Sequence, residues 1–224
     1  MKYVRIWDLP TRLFHWALAI CCVGLLVTGK TGGNAMSWHF GFGYAVASLL
    51  LFRLVWGLLG GRWSRFSVFI YPPRAILAYL RGQAPAGHAI GHNPLGAQSV
   101  FAMLFFLLAQ VGSGLFSEDR GEVFGPLSAL LSQASVHLAT GYHKNVGQRV
   151  LLALVVLHLA AIAWYHFRHK NKLVRPMLTG DKLLAGEVEP SRDDAATRVA
   201  AAVVLAACAG AVAWLVSLGA APLQ

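Results

Sequence analysis

Long apolar stretches alternate with short polar ones along the chain. Five stretches hold roughly 20 or more mostly apolar residues: 9–28, 38–59, 94–116, 143–167 and 195–218. The hydrocarbon layer of a bilayer is about 30 Å thick and a helix rises about 1.5 Å per residue, so each stretch predicts one membrane-spanning helix. Leu, Ala and Val dominate the five, and none alternates with a period of two. Backbone groups in lipid must be satisfied within the segment, which again selects helices. Asp8 and Pro10 interrupt the start of the first stretch, and another span follows it rather than a cleavage pattern and a soluble domain. It is therefore expected to be an uncleaved helix and not a signal peptide.

Two connections are long. Residues 60–93 carry Gly60, Gly61, Pro72, Pro73 and Pro85, which is loop punctuation, with one short helix expected around residues 74–81. Residues 117–142 open on Glu118, Asp119 and Glu122. The acidic cluster reads as a solvated loop ahead of a docking patch for a basic partner. The apolar piece that follows, 124–138, is interrupted by Ser and Gln and predicts a helix lying at the interface.

Composition narrows the class. The chain of 224 residues is 57% hydrophobic and 12% charged, with three Cys. Such a chain is too apolar for disorder or for an ordinary soluble domain, and too poor in Cys for a disulfide scaffold. Cys21, Cys22 and Cys208 read as small core residues. No Cys-x-x-Cys-His occurs for covalent haem, and no Cys cluster for an iron–sulfur centre. The net charge of +10 reads as orientation: 15 of the 19 Lys and Arg fall on one side of the spans, against Lys30, Arg120, Lys144 and Arg149 on the other. The positive side is cytoplasmic, which places the N-terminus inside and the C-terminus outside the membrane. Spread over every inner loop, this charge predicts lipid contact and no nucleic-acid partner.

Nine His remain. An imidazole inside a membrane is costly and marks function. His15 lies near the inner end of the first span, His39 at the outer start of the second, and His143 and His158 on the fourth. The last two are 15 residues apart, about 22 Å along a helix. Depth then pairs His15 with His158 and His39 with His143. Two His from facing helices can ligate a haem iron axially and leave no open position, the arrangement of electron transfer. Gly41, Gly43, Gly141, Gly147, Ala160 and Ala161 beside them would let a flat ring approach, or are simply common membrane-helix residues. Zinc would need three or four clustered ligands, and a proton transporter intramembrane acids; no span interior carries Asp or Glu. A His-lined transporter is therefore the remote alternative. His137 is the fallback for His143. His88 and His92 lie in the inner loop, and His166 and His169 anchor a helix end among cations. Arg53, near the inner surface, either snorkels to headgroups or pairs with a haem propionate.

Four segments carry a resemblance: IWDLPTRLFHW at 6–16, RLVWGLLGGRWSRF at 53–66, GHNPLGA at 91–97, and LHLAAIAWYHF with NKLVRPMLTGDK within 157–182. As a set they resemble the bacterial membrane cytochrome b561 family, which includes the b-type subunit of nickel–iron hydrogenases. The resemblance implies an all-α integral membrane protein with a four-helix bundle over 1–182 holding two non-covalent b haems; the cytoplasmic linker 183–194 and the fifth helix 195–218 lie outside its best-matched region. It implies His15 and His158 as ligands of the inner haem iron and His39 and His143 of the outer. In proteins of this kind the interval between the two fourth-helix His is often one residue shorter than here. The implied function is electron transfer between the quinone pool and a periplasmic redox protein, such as a c-type cytochrome or hydrogenase, as the electron-transfer subunit of a quinone-linked oxidoreductase. The alternative is a stand-alone quinone oxidoreductase acting on a small diffusible substrate. Arg62, Trp63, His92 and Lys172 share the depth of a possible quinone site, without defining one. The fifth helix packs on a partner's anchor or simply faces lipid.

Overall fold

The computed structural model describes residues 1–83, 85–119 and 121–220. Arg120, one of the four cations expected on the outer side, lies outside the described residues, as does the side chain of His169. Among the described residues five helices are long and apolar enough to cross a membrane, as the apolar pattern predicts. In chain order the elements are β1 (Lys2–Arg5), α1 (Leu9–Thr31), α2 (Met36–Leu59), α3 (Pro73–Leu80), α4 (Pro94–Leu115), β2 (Glu118–Asp119), β3 (Val123–Phe124), α5 (Gln133–Gly141), a π-helical turn (Tyr142–Gly147), α6 (Gln148–His169), α7 (Val174–Thr179), β4 (Asp181–Leu184) and α8 (Ala195–Ala220). Short 3₁₀ turns join several of them.

Asp8, which interrupts the apolar pattern, is the N-cap of α1: its Oδ1 accepts from the Thr11 N–H at 2.8 Å. Pro10 falls in the first turn, where a missing N–H costs nothing. At its other end α1 runs three residues past 28 to Thr31. Gly32 stops it with φ +65° and donates its N–H to the Thr28 carbonyl at 3.0 Å.

The fourth span corrects an expectation. Its helix starts at Gln133, not at His143, and residues 124–138 are not one interfacial helix. Ser132 caps the start by accepting from the Ser135 N–H. Gly141 keeps helical dihedrals, φ −59° and ψ −45°, so nothing breaks the run from α5 through the π turn into α6. Upstream, β2 and β3 form a hairpin pairing Glu118 with Phe124 and Asp119 with Val123. The sequence also gives no warning of β1, which pairs antiparallel with β4 from Lys2↔Leu184 to Arg5↔Asp181. A two-stranded ribbon is marginal alone, and ion pairs reinforce this one: Arg5 reaches Asp181 at 2.7 Å and Asp193 at 2.6 Å. Ser191 donates its hydroxyl to the Ile6 carbonyl at 2.7 Å and its N–H to the Arg5 carbonyl at 2.7 Å. Asp194 then caps α8, accepting from the Thr197 N–H at 2.8 Å.

The chain divides into two compact units. The first comprises residues 1–15, 53–103 and 154–204. It holds the β1–β4 ribbon, α3 and α7, and its core includes Ile6, Trp7, Asp8, Trp56 and Phe69. The second comprises residues 16–52, 104–153 and 205–224. It holds the β2–β3 hairpin, α5 and the π turn, and its core includes Val46, Leu50, Phe52, Leu127 and Val136. Along α6, Leu152, Val156, Leu157, Leu159, Trp164 and Phe167 are all exposed. A surface this apolar requires lipid.

Candidate functional site

The first unit brings His15 of α1 and His158 of α6 together, with ring centroids 6.5 Å apart and planes 51° apart. The second brings together His39 of α2 and His143 of the π turn, at 6.2 Å and 84°. All four rings are half-buried. Two imidazoles bound to opposite sides of one iron, with bonds of about 2 Å and each centroid ~1 Å beyond its nitrogen, lie about 6 Å apart. Both pairs suit a haem iron by that measure. Among the described residues no group of three or more His, Cys, Asp or Glu is placed to hold a metal ion, so the arrangement does not suit a zinc cluster.

The second pair shows how ring orientation is fixed. The Nδ1 of His39 lies 3.2 Å from the Thr28 hydroxyl, which itself donates to the Gly24 carbonyl at 2.7 Å. With its proton committed there, the hydroxyl accepts from Nδ1–H. The Nδ1 of His143 lies 2.9 Å from the Gln110 carbonyl, an acceptor only, so it too carries the proton. Both Nε2 atoms are then left unprotonated, the form that binds metal. The Gln110 side chain also donates to the His143 carbonyl at 3.0 Å. A π turn forms i→i+5 hydrogen bonds and so takes one residue more than an α turn. Here that extra residue lies between His143 and His158, within their 15-residue interval.

Close approach to these rings depends on glycines other than those the sequence suggests. A Cβ on Gly114 would sit 2.8 Å from Cε1 of His143, and one on Gly29 3.1 Å from Cε1 of His39. Gly41, Gly43 and Gly141 have open space there. Gly147 faces Gln110 and Tyr142. His137 is exposed and pairs with Glu118 at 3.4 Å, away from the role of fallback ligand. Lys144 pairs with Asp119 at 2.7 Å.

Elsewhere in the first unit, Arg53 is 3% exposed and stacks on Phe66, with Cζ 4.6 Å from the ring centroid. It does not snorkel. The His92 ring packs against Trp7 at 4.7 Å and Phe69 at 4.5 Å. Burial lowers the His92 pKa to about 3, with Arg53 and Lys182 adding to the effect. Burial also lowers the pKa of Lys182, whose Nζ donates to the Ile90 carbonyl at 3.1 Å. Tyr79 and Tyr165 share a hydrogen bond at 2.6 Å, and Asn93 donates to Tyr165 at 3.2 Å. Arg62 pairs with Glu189 at 2.6 Å, and Trp63 donates to the Glu189 carbonyl at 2.9 Å, so both serve the 189–191 strap. His166 is exposed beside Phe167. Sequence reasoning missed Thr28, Gln110, Gly29 and Gly114, whose partners are distant in the chain. For Asp8, a lone acid beside a span start was the available signal.

A family model described as prokaryotic cytochrome b561 matches residues 6–180. A probable Ni/Fe-hydrogenase B-type cytochrome subunit of Azotobacter chroococcum is 28% identical over 216 residues, covering 79% of this chain and 87% of that protein. Its namesake from Cupriavidus necator is 25% identical, covering 80% and 87%. A probable Ni/Fe-hydrogenase 1 B-type cytochrome subunit of Escherichia coli (strain K12) is 27% identical over 151 residues, covering 54% and 64%. No solved structure matches.

Proposed function

The chain belongs to the prokaryotic cytochrome b561 family, and from that premise we propose that it carries electrons between membrane quinone and a redox protein on the outer face of the bacterial inner membrane, using two haems. That it is a multi-pass membrane cytochrome b follows from the family and its five apolar helices. The finer reading rests on one observation: two His pairs with ring centroids 6.5 and 6.2 Å apart, one in each unit.

His15 and His158 hold one iron and His39 and His143 the other. Each haem, when bound, supplies a one-electron ferric–ferrous couple. The residues supply the rest. Two imidazoles for each iron would leave it no open position for small ligands. Thr28 and the Gln110 carbonyl hold the His39 and His143 protons at Nδ1, which strengthens Nε2 as a ligand. Arg53 places a buried cation for a haem carboxylate. The apolar helix faces keep the local dielectric low. The excess of 15 over 4 basic residues supports a cytoplasmic N-terminus and an outer C-terminus. The names of the relatives support a hydrogenase as the outer partner, and a c-type cytochrome fits the same chemistry.

The test is a stopped-flow experiment on the purified chain in proteoliposomes. Quinol in the bilayer is expected to reduce the haems, and an oxidised partner protein outside the vesicle to reoxidise them. Haems that neither quinol reduces nor quinone oxidises would contradict this function.

A further inference from the structure

Two buried nitrogens of the first unit share one aromatic setting and have no partner in the fold. Nη1 of Arg53 and Nδ1 of His92 are buried and make no hydrogen bond. Both sit in one aromatic enclosure: Phe66 under the guanidinium, Phe69 and Trp7 against the imidazole, and Phe101 closing on Phe66 and Phe69 at 5.7 and 5.4 Å. The Phe66 and Phe69 rings, 5.8 Å apart, link the guanidinium to the imidazole, and both lie in the unit that holds the His15–His158 pair.

Among the described residues no carboxylate serves them. Asp8 is the acid that bears on Arg53. Its oxygens accept instead from the Thr11 N–H at 2.8 Å, the Ser64 hydroxyl at 2.8 Å, the Gly61 N–H at 3.1 Å and the Trp56 indole at 3.4 Å. A buried guanidinium with an open donor calls for an anion, because burial without compensation is costly. A neutral oxygen would satisfy one donor and leave the charge uncompensated. A carboxylate supplies two oxygens and the charge, one oxygen for the guanidinium and one for the imidazole Nδ1–H.

We infer that Arg53 and His92 together form one carboxylate-receiving site, and that its occupant is a propionate of the haem held by His15 and His158. The inference rests on that ligand assignment. His92 thereby gains a role as cofactor anchor, and Lys182 adds positive potential behind it.

Haem labelled with ¹³C at the propionate carboxyl carbons, made by feeding cells carboxyl-labelled aminolaevulinate, isolates the carboxylate bands in redox-difference infrared spectra. Arg53→Gln and His92→Gln are each expected to shift the labelled bands of one haem. The midpoint potential of that haem falls in Arg53→Gln, since a positive charge is lost, while the other haem keeps its potential. Arg53→Lys restores part of the potential, and it reads the same bands where Arg53→Gln fails to hold haem. Labelled bands unmoved in both substitutions overturn the site, and bands moved by only one of them overturn the shared site. Unmoved bands with altered quinol kinetics assign the donors to quinone instead, which also overturns it. A His158→Ala chain that keeps every haem overturns the ligand assignment separately, and the labelled bands then still report whether Arg53 and His92 hold a propionate.

Discussion

At the scale of single residues, two acids fix the start of the chain. Asp8 is fully buried and caps α1 while holding the 61–64 turn. Asp193 is nearly buried and receives Arg5, Arg198 and the Leu9 N–H. Burial alone would raise the Asp193 pKa, but hydrogen bonds from Arg198, the Leu9 N–H and Arg5 outweigh it and hold the carboxyl below its ordinary range. A carboxyl with a depressed folded pKa contributes stability that is present above its unfolded value, about 3.9, and is lost as pH falls through the folded one. Thermal unfolding in detergent should show this directly. Asp193→Asn is expected to lower stability at pH 7 by about 1–3 kcal/mol, with the difference from wild type shrinking as pH falls below about 4. A difference that is constant with pH would contradict the role given to this charge.

At the scale of elements, the helices were legible and their joints were not. Apolar runs located all five spans because hydropathy is a local property. The same reading stopped at the Ser and Gln of 132–135, where a helix in fact begins at its Ser132 cap. The β1–β4 ribbon joins residues nearly the length of the chain apart, and nothing local in KYVR or DKLL announces it. The histidine pairs were legible from depth alone, since helix rise fixes which His can share a level. The surfaces against their rings, Gly29, Gly114, Thr28 and Gln110, were not, because each acts on a residue of another helix. The π turn left one trace, the interval of 15 residues between His143 and His158. It makes a directional prediction. Deleting Asn145 should convert the π turn to an α turn and preserve both haems. Inserting one Ala after Asn145 rotates the two His by about a further 100° and should cost one haem. Haem content per chain after purification reads the outcome. Equal tolerance of both changes would show that the turn does not set the register.

At the scale of the molecule, the exposed apolar faces and the basic loops between them have one explanation, a chain whose solvent is lipid. Each of its units carries one histidine pair, with ring centroids 6.5 and 6.2 Å apart, and that repetition separates this protein from a membrane helix bundle with incidental histidines. The central claim is that the two pairs each bind one haem. The most direct test is the haem-to-protein ratio of the purified chain, by pyridine haemochrome, in wild type and in His158→Ala. Two b haems in the wild type and one in His158→Ala are expected, the survivor keeping its bis-imidazole spectrum. A colourless wild type, or a His158→Ala chain that still holds two haems, would contradict it.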